Sequence, residues 1–434
     1  MTFKRYAAAL LVALPLLTSC KSDDKLAPNP APPPIDPMFE RYVSLGNSLT
    51  SGFQSAGIND STQRRSYAVL LGQAMETPFN YPQFSGRGCP PPLTNNVTQA
   101  RVGGGTAATC DLRTMVLGTL NNLAFPGAEV EELLDNFGDS PSATDVYKTF
   151  LLGGRTEIDL MADRNPTFVS VWAGSNDVLG ALLSANPGDP AEVTDPTTWA
   201  ASYDAVLDAI EAEGADAVLL SVPNVTVIPF ANSAAIWYCL KNNGPISPGP
   251  PPSGPIAACN AIGVLQSPQL GPIPTFTVNA NCAPPAGLPV LVPWPVGLAK
   301  LAAAALPPNT PTSINCSVDN EVVTAAETVN LATAVATYNA HIASEAAARG
   351  FAYWDVNPTL TALVTNGTIP RFPNIAPALV GQSVGFGIMF SLDGFHMSST
   401  AHRLVADSVA SIVNQFYGTS LPVPVCGTVA CPLP

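Results

Sequence analysis

Apolar and polar positions along this chain follow two different periods, and the two take turns. Short apolar runs of strand length occur at Tyr42–Leu45, Thr167–Trp172 ("TFVSVW"), Asp216–Val222 ("DAVLLSV") and Phe351–Val356 ("FAYWDV"). Between them the spacing becomes helical. Thr62–Met75 reads as the helix after the first strand, and the stretch from Thr197 runs as a helix to a stop at Gly214. Leu331, Val335, Tyr338 and Ile342 share one helical face, and Val405, Val409, Ile412 and Phe416 mark a last helix by the same rule. Strands alternating with helices predict an α/β fold, a parallel sheet covered by helices on both faces.

Two stretches interrupt that rhythm. Pro223–Thr312 holds 19 of the chain's 45 prolines, and its only charged residues are Lys241 and Lys300. Proline lacks the amide donor that helix interiors and central strands require, so this segment is expected to be an insertion without regular helix or central strand. Within it, Pro285–Pro308 is apolar enough to be a lid over a hydrophobic site or a membrane-touching surface, or to pack on its own domain. The second interruption, Asn80–Leu120, carries a Gly103–Gly105 run without the Lys-Ser/Thr of a phosphate-binding loop, and reads as a plain loop.

The amino terminus is a different kind of segment. Lys4 and Arg5 precede an apolar run from Ala7 to Leu17 that is too short to anchor in a bilayer, the pattern of a signal peptide. Thr18-Ser19-Cys20 behind Leu17 resembles the bacterial lipobox, in which the cysteine is lipidated; an ordinary small-residue cleavage site is the alternative. The acidic "KSDD" that follows resembles a surface-export signal, and Ala27–Pro37 ("APNPAPPPIDP") should be a stiff tether. The expected organisation is a signal peptide over 1–20, a linker over 21–38, and one domain over 39–434 with insertions at about 80–120 and 223–316. The expected location is the bacterial cell envelope, lipid-anchored at the outer membrane or cell surface, with the periplasmic side as the alternative.

Composition narrows the chemistry. A net charge of −14 opposes a phosphate-backbone ligand, because such binding depends on Lys and Arg releasing counterions, so no nucleic-acid partner is expected. Apart from Cys20 there are eight cysteines, an even number in an exported chain, which favours disulfides over a thiol nucleophile. The expected pairing is sequential: Cys89–Cys110, Cys239–Cys259, Cys282–Cys316 and Cys426–Cys431. No CxxC spacing points to a zinc or redox site, and neither metal nor cofactor is expected.

Only three histidines can supply an imidazole base. His341 lies in a helical pattern and reads as a surface or packing residue; His402 falls on the buried face of the last helix and reads as a satisfied core histidine. His396 sits in a loop, "SLDGFHMSST", with Asp393 three residues upstream. A carboxylate so placed can accept from Nδ1, fix the tautomer and leave Nε2 to deprotonate a hydroxyl. The hydroxyl candidate is Ser48, just beyond the first strand in "YVSLGNSLTSGFQ", at the sheet end where ligands gather in open parallel folds. Gly46 would let the strand turn there without a side chain in the way. Asn176, in "WAGSNDVLG" after the second strand, is either an oxyanion donor or part of an Asn-Asp helix cap.

"GNSL" at Gly46–Leu49, "NLAFPGAE" at Asn122–Glu129, "GSND" at Gly174–Asp177 and "DGFH" at Asp393–His396 resemble, in this order, the sequence blocks of the SGNH or GDSL serine hydrolases. The resemblance spans about Phe39 to Gly418 and leaves the insertions unexplained. It implies a three-layer α/β/α sandwich of flavodoxin-like type. It makes Ser48 the nucleophile, Asp393 and His396 its triad partners, and the Ser48 N–H, the Gly127 N–H and the Asn176 side chain the oxyanion hole. Asn122 matches the asparagine that often opens the second block. One position departs: Asn47 stands where the family has aspartate, which removes a negative charge beside the nucleophile. The activity implied is esterase or lipase action on small-molecule, lipid or glycan esters. The alternatives are a polysaccharide O-deacetylase and a surface binding protein on a retired hydrolase scaffold, whose sign, a missing triad or oxyanion residue, the sequence does not carry.

Overall fold

Four parallel strands build the central sheet, in the order of their appearance: β1 (Tyr42–Gly46), β2 (Phe168–Trp172), β3 (Asp216–Leu220) and β4 (Ala352–Trp354). The structure, a computed structural model, describes residues 36–84, 86–111, 119–135, 147, 151–243, 254–264, 266–267 and 270–424. Cys20, the signal segment and most of the linker lie outside these residues, as does the expected Cys426–Cys431 pair. A fifth, minimal strand position exists: Asn122 bridges Ser44 in parallel on the free side of β1, with Ser44 N–H donating to the Asn121 carbonyl at 2.9 Å. Counting it, the order becomes 2-1-3-4-5, the flavodoxin-like arrangement.

Strand side chains point alternately to opposite faces, and this divides the core in two. Val43, Leu45, Val169, Val171, Ala217 and Leu219 pack with helices α4 (Pro196–Ala212) and α5 (Ala325–Arg349). Tyr42, Phe168, Trp172, Val218, Leu220 and Ala352 pack on the other side with α2 (Tyr67–Ala74) and α6 (Ser399–Tyr417). Each fully buried Val, Leu or Phe contributes roughly 1.5–3 kcal/mol, so the two faces together outweigh any local propensity. The result is a three-layer α/β/α sandwich.

Helix α5 buries Leu331, Val335, Tyr338 and Ile342, the face the spacing predicts, between a Thr324–Glu327 capping box and a Gly350 cap. His341 lies beside that face, half-buried, with Nε2 2.7 Å from Asp204 on α4. Two helices differ from the prediction. Thr62–Met75 is broken into Asp60–Gln63 and α2, because the Ser66 side chain caps a new start by accepting from Val69 N–H. In α6 the buried stripe runs Val405, Val409, Val413, while Phe416 is 52% exposed, since a continuous i, i+4 series leaves it on the flank.

The proline-rich insertion also differs from expectation. It contains regular helices at Ala234–Asn242, Pro255–Ala261 and Trp294–Ala305. In the last of these Pro295 occupies the first turn, where its missing N–H has no helical partner to lose. Trp237, Phe276, Trp294 and Leu301 form a third core, completed by Ile375, Val384 and Phe386 from far downstream. The Pro285–Pro308 stretch thus packs mainly on its own domain, with Leu288 and Leu306 left at the surface. The disulfides Cys89–Cys110, Cys239–Cys259 and Cys282–Cys316 are present as expected.

Candidate active site

The register of the sheet brings the first two site segments together. Gly46 pairs opposite Trp172, so β1 and β2 end level and the next residues of each emerge side by side. Gly46 has φ +141°, and a Cβ there would stand 2.2 Å from the Trp172 carbonyl, so the close approach admits no larger residue. Ser48 follows as the first residue of α1 (Ser48–Ser51), with Asn47 as its cap, accepting from Leu49 N–H at 3.1 Å. The sequence suggested a bare turn; the serine instead opens a one-turn helix, buried to within 6%. Its N–H, at a helix start, has no protein partner among the described residues.

The second segment is tied to the first and third by side chains. Asn122 Nδ2 donates to the Thr50 carbonyl at 3.0 Å, fastening it under α1. Phe125-Pro126-Gly127-Ala128 forms a turn with Pro at its second position and Gly127 at its third, φ +91°, the geometry of a type II turn. Asn176, the first residue of α3 (Asn176–Leu183), donates from Nδ2 to the Ala128 carbonyl at 2.8 Å. That bond leaves the amide's second hydrogen free for another acceptor. Asn176 is therefore no helix cap. Asp177 accepts from Val130 N–H at 3.1 Å, a second tie between the same two segments. It is 1% exposed, and burial, with Glu129 nearby, pushes its carboxyl up to about 7.

The third segment arrives from the far end of the chain. Asp393 Oδ2 accepts from His396 Nδ1 at 2.8 Å, the geometry the D-x-x-H spacing predicts. Oδ2 also accepts from Ala56 N–H at 2.6 Å, and Oδ1 accepts from the backbone N–H of Phe395 and His396 and from the Ser391 hydroxyl. Burial alone would raise this carboxyl, but the His396 imidazole and the surrounding donors outweigh it and hold Asp393 below the ordinary carboxylate value. Ser55 and Ala56 both adopt positive φ, +55° and +50°, and aim their N–H groups at the Ser391 hydroxyl and the Asp393 carboxylate. Left-handed backbone at non-glycine residues costs of order 1 kcal/mol or more each, and here it docks the histidine loop against the segment after the serine. The His396 ring lies between Phe53 and Phe395, with centroids 4.7 and 4.2 Å away.

Ser48, Asn176 and His396 line one cavity of about 110 Å³, whose remaining wall is almost wholly apolar. Leu360 and Leu363 of the helix Asn357–Thr365 and Leu404 and Val405 of α6 supply much of it. No hydrogen bond joins the Ser48 hydroxyl to His396 among the described residues, as is common before substrate tightens such contacts. Gly127 is not part of the cavity wall; its neighbour Ala128 is what Asn176 holds. His402 is fully buried and accepts from Tyr67 N–H through Nδ1 at 3.3 Å, while Nε2 has no partner among the described residues, so it is only half satisfied. Burial pushes it down to about 3, leaving it neutral.

Sequence reasoning missed one buried carboxyl. Glu157, wholly buried, accepts from Gly46 N–H at 2.8 Å and so braces the turn that presents Ser48. Burial pushes it well above the ordinary carboxylate value. Its signal was faint: an acid at Glu157 in register with the buried Met161, one turn on.

A buried serine at the carboxyl end of a parallel sheet, in one cavity with an imidazole oriented by a carboxylate, defines the site of this α/β/α protein. Neither a family model nor a curated protein sequence matches the chain. Among solved structures, an acetyl xylan esterase is 12% identical over 86% of this chain and 99% of its own, with a TM-score of 0.34. An extracellular lipase from Streptomyces rimosus is 15% identical over 86% and 98%, with a TM-score of 0.35. None of these likenesses is strong enough to carry a residue's role across to this chain.

Proposed function

We propose that this chain is a serine hydrolase of carboxylic esters, with Ser48 as nucleophile and His396 as its base. The observation that carries the reading is that His396, held by Asp393 at 2.8 Å, lines the same cavity as Ser48, though 348 residues separate the imidazole from the serine. In the first half-reaction Ser48 Oγ attacks the ester carbonyl carbon while His396 Nε2 takes its proton. The oxyanion is met by the Ser48 N–H and by Asn176 Nδ2; the Gly127 N–H, which the family resemblance implies as a third donor, lies outside the cavity wall. Collapse breaks the bond to the alcohol oxygen, which leaves with the proton from His396. Water, deprotonated by the same nitrogen, then attacks the acyl-enzyme and releases the acid and Ser48. Asp393 holds the tautomer and favours the imidazolium that forms in each half.

The apolar wall beside Ser48 favours an acyl chain over an acetyl group, and so an esterase or lipase over a polysaccharide O-deacetylase. Lys4 and Arg5, the apolar run after them and Cys20 support a lipid-anchored protein of the cell envelope. Ester hydrolysis by the purified protein should be lost in Ser48→Ala; hydrolysis that persists at the wild-type rate in that variant contradicts the proposal. Faster turnover of p-nitrophenyl acetate than of the octanoate would favour the deacetylase.

A further inference from the structure

The cavity at Ser48 has a neighbour. On the other side of Phe395 lies a larger one, about 380 Å³, walled by Leu298 and Ala302 of the insertion helix Trp294–Ala305 and by Leu93 and Leu379. Among the described residues Phe395 is the one that lines both. Its ring rests on His396 at 4.2 Å and meets Phe230, another wall residue of the larger cavity, edge-on at 5.3 Å. The catalytic pair is thus divided between the two spaces, with His396 on one wall and Asp393 on the other.

The larger cavity offers little to a polar ligand. Among the described residues its only ionisable lining residue is Asp393, whose two oxygens already accept five hydrogen bonds. Asn96 is also spent: Nδ2 donates to the Val384 and Leu392 carbonyls, and Oδ1 accepts from Val384 N–H. Leu306, 46% exposed, stands on its wall, and Val380, 71% exposed, adjoins the wall residue Leu379. Gln99, the other side-chain amide on the wall, donates from Nε2 to the Asn96 carbonyl at 2.7 Å, so a sugar or a phosphate would lose its hydration here for little return, whereas a hydrocarbon chain would gain.

The chemistry says which half of the ester would enter. His396 must hand its proton to the departing alcohol oxygen, so the alcohol half leaves past the imidazole, whose flank is Phe395. We propose that the second cavity takes the hydrocarbon chain of the alcohol half while the Ser48 cavity takes the acyl chain. The preferred substrate is then an ester apolar on both sides of its carboxyl, rather than an acetylated sugar. This rests on the ester-hydrolase reading above.

The test uses the full chain and two esters differing only in the alcohol, ethyl butyrate and dodecyl butyrate, with released acid titrated. Wild-type kcat/KM should favour the dodecyl ester by about ten-fold or more, the discrimination that an apolar pocket can give. Ala302→Trp, and Ala299→Trp as a more exposed second variant, fill the cavity and should abolish that preference while ethyl butyrate turnover stays near wild type. A dodecyl alcohol bearing a diazirine at its far end should, on irradiation of the wild type, label the peptide containing Trp294–Ala305. Equal rates on the two esters, a preference untouched by a folded filling variant, or labelling confined to other peptides would overturn the proposal. Failure of the folded protein to hydrolyse either ester would instead remove the ester-hydrolase reading itself.

Discussion

Two buried aspartates stand at the same end of the same sheet, and they have opposite characters. Asp393 is held below the ordinary carboxylate range, because the His396 imidazole and backbone N–H and three further donors overcome its burial. Asp177 accepts from Val130 N–H, lies near Glu129, and is pushed up to about 7 by burial. The difference teaches that depth does not decide the charge of a carboxyl here; the number and sign of the groups facing it do. One aspartate can therefore stabilise an imidazolium, and the other can only brace two loops.

The comparison breaks most visibly at the imidazole. His396→Ala removes the partner that keeps Asp393 ionised and, under the proposed mechanism, the base for Ser48, so kcat should fall by roughly 10⁴–10⁶-fold. Asp393→Asn leaves the shape but reverses the tautomer of His396, with a loss of roughly 10⁴-fold. Asn176→Ala, which removes the proposed oxyanion donor, should cost roughly 10²–10³-fold in kcat, with KM little changed. Steady-state kinetics on one soluble ester reads all three.

Asp177→Asn sharpens the contrast with the smallest effect on rate, within a few-fold, and its signature is in stability. In the unfolded chain Asp177 releases its proton near 3.8, but in the fold only at about 7. Between these values the folded state binds more protons, so this residue lowers stability as pH rises from about 4 to about 7. The asparagine variant should therefore gain several kcal/mol over wild type at pH 8, roughly 4 for a rise of that size, and almost nothing at pH 4. Asp393 has the opposite sign: its contribution is present above the ordinary carboxylate range and lost as pH falls through its depressed folded value. Denaturant unfolding of wild type and Asp177→Asn at several pH values measures the first slope directly.

What the sequence made legible was local. The D-x-x-H spacing fits an Asx-type turn, so a carboxylate reaching Nδ1 could be foreseen from three residues. The glycine ending β1, the serine after it and the buried stripe of α5 follow from strand and helix periods in the same way. What stayed hidden depends on pairs far apart. Glu157 reaches Gly46 across 111 residues, and the insertion's core needs Ile375 and Phe386 to close it, and neither leaves a periodic trace. Proline density misled because prolines at first-turn positions are compatible with helix, as at Pro295. The fate of Asn176 was undecidable from its own segment, since the carbonyl it binds belongs to Ala128.

The central claim is that a hydroxyl and an imidazole from opposite ends of the chain act as one unit. Its most direct measurement is labelling with a fluorophosphonate, followed by peptide mass analysis of the tryptic segment 42–64, which holds five serines. The account predicts a single adduct, located at Ser48 by fragmentation, formed at a rate that collapses in folded His396→Ala. An adduct on any other serine, or a rate at Ser48 indifferent to the loss of His396, would contradict it.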